Sequence, residues 1–234
     1  MSIYQYQRPQ LFPPVVKNLL IINGLVFVAQ VTFGSSHPYT IENLFALHDV
    51  HSVFFQPFQL ITYMFLHGSF DHIFGNMLAV WVFGGMLENY WGGKKFLTYY
   101  LVTGVGAGLL HLGVLYLEMN PIMEIFRTIP EEEQLNLLRS PQFKINVPTL
   151  GASGAVFGCL AGAGILFPND IIRINFIFPV KIKWLVIVYT GIELLLAIRN
   201  SAGDAVAHFA HLGGAITGLI LLFIWNKTKR KTLY

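Results

Sequence analysis

The sequence has one cysteine, Cys159, and few charges, with Asp, Glu, Lys and Arg making up only 12% of 234 residues. A single cysteine excludes an internal disulfide framework and the paired-cysteine zinc motifs. Soluble domains carry about 25% charged residues, so a share this low excludes an ordinary water-soluble fold for most of the chain. There is no H-E-x-x-H helix of the zinc-protease kind. There is also no internal repeat or pair of interrupted apolar segments such as transporters show. The first ten residues are polar, and no small-residue cleavage site follows the first apolar block, which is therefore expected to be a retained span rather than a signal peptide. No metal or other cofactor is expected, and the basic tail is read as a topology anchor with no role in nucleic-acid binding.

What is present is apolar sequence, 54% of the residues, gathered into blocks. A helix crossing the hydrocarbon core needs about 20 mostly apolar residues. Six segments meet or approach this: 15–34, 69–90, 96–117, 150–167, 183–198 and 205–225. Cytoplasmic loops collect Lys and Arg, which tests the count independently. With the N-terminus inside, eleven basic residues fall on the cytoplasmic side, and only Arg127, Arg139, Lys144 and Arg199 fall outside. The expected fold is therefore all-α, a polytopic membrane protein with six transmembrane helices. Residues 1–14 form a short cytoplasmic N-terminus, 15–225 the membrane domain, and 226–234 a basic cytoplasmic tail. The segment 118–148, with Glu131–Glu133, is expected to be an external loop.

Three spans carry polar groups that are costly in lipid and so face the bundle interior or a water-filled cavity. The second span opens with His72 and Asn76, four apart and on one helical face. Gly151-Ala152-Ser153-Gly154 opens the fourth, and His208 and His211 lie in the sixth, followed by Gly214-x-x-x-Gly218. Taken singly, each has a packing explanation: small residues let membrane helices approach closely, and a buried histidine is often only a hydrogen-bonding group. Together they are harder to explain that way. All three spans run from outside to inside, so His72, Ser153 and His211 share one shallow level below the outer surface. A serine hydroxyl needs an adjacent base, and the tetrahedral intermediate needs donors aimed at its oxyanion. His211, the deeper histidine, is the expected base. His208 is expected to bond water or loop groups above the site. His72, Asn76 and the backbone N–H of Ser153 are candidate donors. Asp71 and Asp204 read as helix caps, so no carboxylate completes a triad and a Ser–His dyad is expected. Cys159 lies about 9 Å deeper than Ser153 along the helix and reads as core. The short fifth span, with Glu193 inside it, is expected to be the movable gate for a substrate helix.

At this point the chain resembles the rhomboid family of six-helix intramembrane serine proteases. The likeness rests on His67-x4-His72-x3-Asn76, on Gly151-Ala-Ser153-Gly154-Ala-Val-Phe157-Gly158, and on Ala210-His211-x-x-Gly214-x3-Gly218. A fourth stretch, Gly84-Gly-Met-Leu-Glu88-Asn-Tyr-Trp-Gly92, is similar to the family's junction between spans two and three. The resemblance implies Ser153 as nucleophile, His211 as general base, and His72 with Asn76 as oxyanion donors. It also implies Phe157 as an aromatic support for the base, and single-span or polytopic membrane proteins as substrates. A bacterial inner membrane is the expected host. The alternative is an inactive relative that binds membrane clients. One departure is that the first external loop reads Gln56-Pro57-Phe58-Gln59 where the family usually has a Trp-Arg pair, which leaves catalysis intact but not the loop's usual anchoring.

Overall fold

The structure, a computed structural model, describes residues 9–33, 40–140, 143–174, 178–199 and 205–230. The first span is α1 (Pro14–Phe33), with Pro14 at the first helical position, where its missing N–H costs nothing. Two short helices, α2 (Ile41–Phe45) and α3 (Gln59–Thr62), shape the first loop, between the first and second spans. The second span is continuous from Phe70 to Trp91. It consists of α4 (Phe70–Ala79), a π-helical turn at Val80–Gly84, and α5 (Gly85–Trp91). The third is α6 (Gly93–Phe126), and α7 (Glu131–Arg139) follows it. The fourth, fifth and sixth are α8 (Ser153–Leu166), α9 (Ile182–Arg199) and α10 (Ala205–Arg230). The protein is thus a helical, polytopic membrane bundle. Between α8 and α9 the chain forms an antiparallel hairpin, β1 (Ile171–Ile174) with β2 (Phe178–Lys181), Ile171 facing Lys181 across it.

Among the described residues, four of the six spans are long and apolar enough to cross a bilayer on length and composition alone. The other two fall short for reasons that matter to the site. α9 carries Lys183, Glu193 and Arg199 in 18 residues. α8 has only 14 residues, about 21 Å of helix against a hydrocarbon core of about 30 Å. It is the central helix: Gly154 through Ala163 are all buried, enclosed by α6, α10, α9 and the second span. Its first residue is Ser153. Outward-facing residues such as Leu25, Val28, Ile187, Leu195, Ile220 and Phe223 are exposed and apolar, as lipid contact requires.

The outer segment is more ordered than a loop. α6 continues past Leu117 to Phe126, through Pro121. Its last turns pack Leu115, Met119, Met123 and Phe126 against Ile145 in a small separate core. Asn146 ties this cap to the first loop: its Nδ2 donates to the carbonyls of Leu138 and Ser140, and its Oδ1 accepts from Ser52 Oγ at 2.7 Å. At the opposite end, Glu88 accepts hydrogen bonds from the N–H groups of Val15 and Val16 at 2.9 and 2.8 Å. These are first-turn donors of α1 that no intrahelical carbonyl reaches, so a buried carboxylate there caps α1 and favours the positive end of its dipole.

Candidate active site

Ser153 is the first residue of α8, and the backbone delivers it by a sharp turn. Gly151 adopts φ +137°, a region that L side chains rarely enter, and its N–H donates to Tyr63 O at 2.9 Å. Space imposes the same choice of residue. A Cβ at Gly151 would lie 2.8 Å from His72 Cε1 and 2.9 Å from His72 Nε2. The segment before it is pinned by the paired backbone bonds of Leu47 with Thr149, both 2.8 Å. The first loop is organised around Gln59, which is fully buried. Its Nε2 donates to the carbonyls of Leu44 and Phe54, and its Oε1 accepts from the N–H groups of His48 and Gln56. All four hydrogen-bonding positions of that amide are used.

His211 reaches Ser153 from α10. Its Nε2 stands 2.8 Å from Ser153 Oγ. Its ring stacks on Phe157, centroids 4.5 Å apart and planes 6° from parallel. The helices approach this closely because they meet glycine to glycine. A Cβ at Gly214 would collide with the Gly154 backbone, and one at Gly218 would lie 3.3 Å from Gly158 Cα. Tyr99 seals the same seam by donating its hydroxyl to Gly158 O at 2.8 Å.

The second span brings two more groups. Ser69, not Asp71, is the N-cap of α4, accepting from the His72 N–H at 3.2 Å; Asp204 lies outside the described residues. His72 Nδ1 accepts from the Gly68 N–H at 3.4 Å. An accepting Nδ1 places the ring proton on Nε2, the nitrogen that lies against Gly151 beside Ser153. Asn76 is buried, and its Nδ2 has no hydrogen-bond partner among the described residues. Buried amide donors are rarely left unpaired, so this one is available to a ligand. Cys159 is fully buried in the core.

One residue changes the picture drawn from sequence. Glu193, on α9, brings Oε2 to 2.9 Å from His211 Nδ1 and 2.6 Å from His208 Nδ1. A carboxylate does adjoin the Ser–His pair, and His208 Nδ1 meets the same oxygen. The sequence conceals this because Glu193 lies 18 residues before His211 and on another helix. A signal was present nonetheless: a carboxylate in a short span must find a polar partner, and the sixth span has two histidines.

The Rhomboid domain model matches residues 55–228 of the chain. Among similar proteins, Rhomboid-like protein 11, chloroplastic, of Arabidopsis thaliana is 25% identical over 220 residues, 88% of this chain and 66% of that one. Rhomboid protein 1, mitochondrial, of Saccharomyces cerevisiae is 29% identical over 174 residues, 71% of this chain and 41% of its own. Rhomboid protease GluP of Bacillus subtilis is 24% identical over 194 residues, 83% of this chain and 31% of its own. The chain therefore spans between 31% and 66% of the length of these relatives. The matched region begins in the first external loop and runs through every helix that contributes to the site, so the chain belongs to the rhomboid family.

Proposed function

We propose that the protein is a serine-type endopeptidase that hydrolyses peptide bonds in or near transmembrane segments of membrane-protein substrates. The observation that carries this reading is the 2.8 Å approach of His211 Nε2 to Ser153 Oγ, with the imidazole held flat against Phe157. Ser153 Oγ attacks the scissile carbonyl carbon while its proton passes to His211 Nε2. The resulting oxyanion meets His72 Nε2–H, the Asn76 amide and the Ser153 backbone N–H, the last at the positive end of α8. His211 then returns the proton to the leaving amine, and water hydrolyses the acyl-enzyme by the same route in reverse. The apolar flanks of the bundle present a membrane-embedded substrate. The name of the Bacillus subtilis relative, a rhomboid protease, supports the same activity. A bacterial cytoplasmic membrane, with the basic ends of the bundle on its inner face, is the host we propose. The six-helix unit at 15–225 is taken as the whole catalytic domain.

The test is cleavage of a single-span model substrate by purified protein in lipid, beside Ser153→Ala and His211→Ala. Turnover by the parent and its loss in both variants, each still folded, is expected, because nucleophile and base act as a unit. Appreciable turnover by pure Ser153→Ala would refute the serine mechanism. A folded parent that binds substrate segments without cutting them would favour a client-binding role.

A further inference from the structure

Among the described residues, Glu193 is the carboxylate that the structure brings to the Ser153–His211 pair, and the chemistry around it is specific. For His211 Nε2 to accept the Ser153 proton, the ring must carry its own proton on Nδ1. Nδ1 stands 2.9 Å from Glu193 Oε2, so it donates there. His208 donates to the same oxygen from its Nδ1, at 2.6 Å. Two imidazole N–H groups on one carboxylate oxygen fix where that oxygen points. The Glu193 and His208 side chains are only 13% and 14% exposed, so these bonds are little screened by water. The three donor atoms also lie close enough together to consider a metal ion. Tetrahedral zinc, however, holds its ligands at about 2.0–2.1 Å and hence roughly 3.3 Å from one another. The observed separations of 2.6 and 2.9 Å are those of hydrogen bonds.

We propose that Glu193 is a positioning residue that completes a Ser153–His211–Glu193 triad, with His208 holding the carboxylate in line. Glu193 does not touch substrate. It selects the His211 tautomer that accepts at Nε2, keeps the ring in the plane set by Phe157, and stabilises the imidazolium formed when Ser153 gives up its proton. This rests on the serine-protease reading above and goes beyond the expected dyad. Loss of the orienting carboxylate in a Ser–His–Asp enzyme costs about 10⁴-fold in kcat through the wrong tautomer. In a half-open site the effect of Glu193→Gln should lie on the order of 10²–10⁴-fold.

The experiment compares the parent, Glu193→Gln, Glu193→Asp, His208→Gln and Ser153→Ala, reading kcat and KM on a model substrate, fluorophosphonate labelling, thermal unfolding, and the low-field proton NMR spectrum. Glu193→Gln is expected to lose kcat and labelling with KM little changed, Glu193→Asp to recover part of both, and His208→Gln to fall between. A strongly deshielded Nδ1–H resonance is expected in the parent and in Ser153→Ala, and is expected to disappear in Glu193→Gln. If Glu193→Gln does not fold, the parent spectrum decides, and absence of that resonance overturns the proposal. A folded Glu193→Gln that keeps the parental kcat, beside a parent dependent on Ser153, removes the triad and leaves the protease standing. A parent that neither cleaves nor labels removes the underlying reading instead.

Discussion

A methyl group at Gly214 has nowhere to go. The Cβ of an alanine there would press on the Gly154 carbonyl oxygen and lie 2.7 Å from its carbonyl carbon. Ordinary carbon–carbon contacts are about 3.5–4.0 Å, so α8 and α10 must part by roughly 1 Å. The obstacle is backbone, which cannot swing aside as a side chain could. Ser153 immediately precedes Gly154, and His211 lies three residues, nearly a turn, before Gly214. The displacement therefore appears almost undiminished at the site. The hydrogen bond of 2.8 Å between them would open to about 3.8 Å, beyond the range in which it transfers a proton readily. A misplacement of 1 Å costs about 10²-fold in rate. Stability should change less: overpacking costs about 1–3 kcal/mol, offset by the ~0.5–1 kcal/mol that alanine gains over glycine within a helix. The assay is the rate of fluorophosphonate labelling, with thermal unfolding followed in the same detergent. Gly24→Ala is the control, because a Cβ on that α1 residue meets nothing within 4 Å. It should label at the parental rate and unfold slightly later. A folded Gly214→Ala that labels as fast as the parent would refute the claim that glycine contact sets the Ser153–His211 distance.

Four further outcomes follow from the same geometry. Asn76→Ala should slow turnover by up to about 10²–10³-fold, the effect of one oxyanion donor; steady-state kinetics decide, and an unchanged kcat would leave Asn76 a structural role. Gln59→Ala strands the buried His48 N–H, the Gln56 N–H and two carbonyls in the first loop, and should cost about 1–3 kcal/mol in unfolding experiments. His67 lies just outside the second span, where burial, then the neighbouring His72, pushes its imidazole down from 6.5 to about 4. Between those values the unfolded chain binds the extra proton, so stability should hold above pH 6.5 and fall toward pH 4. Thermal melts across that range should slope less in His67→Gln. Cross-linking α9 to the second span through introduced cysteines should stop cleavage of a helical substrate while leaving labelling by a small fluorophosphonate intact, and reduction should restore cleavage. Full proteolysis by completely cross-linked protein would exclude α9 as the gate.

Sequence alone was enough to place the spans, because each must satisfy its own backbone hydrogen bonds in a solvent that offers none. Apolar length and the asymmetry of Lys and Arg are local properties, and they located all six helices to within a few residues at most ends. The third helix is the exception. It runs on to Phe126 because the cap supplies Ile145 as a partner for its apolar face, and that packing has no signature within the helix itself. His72, Asn76, Ser153 and His211 were legible because ionisable or hydroxyl groups in apolar helices demand an explanation, and a shared depth supplied one. Gly214 and Gly218 were legible as a spacing. Their partners, Gly154 and Gly158, are matched to them only by the way α8 and α10 cross. Tertiary structure alone decided three things. It aligned an accepting His72 Nδ1 so that Nε2 carries the proton, and it enclosed Gln59 in four hydrogen bonds that tie the first loop together. It also carried Glu193 across from α9 to meet two histidines 15 and 18 residues away. Hydrogen bonds between helices depend on rotation and approach, quantities set by packing between surfaces and not encoded in the spacing along either strand of sequence.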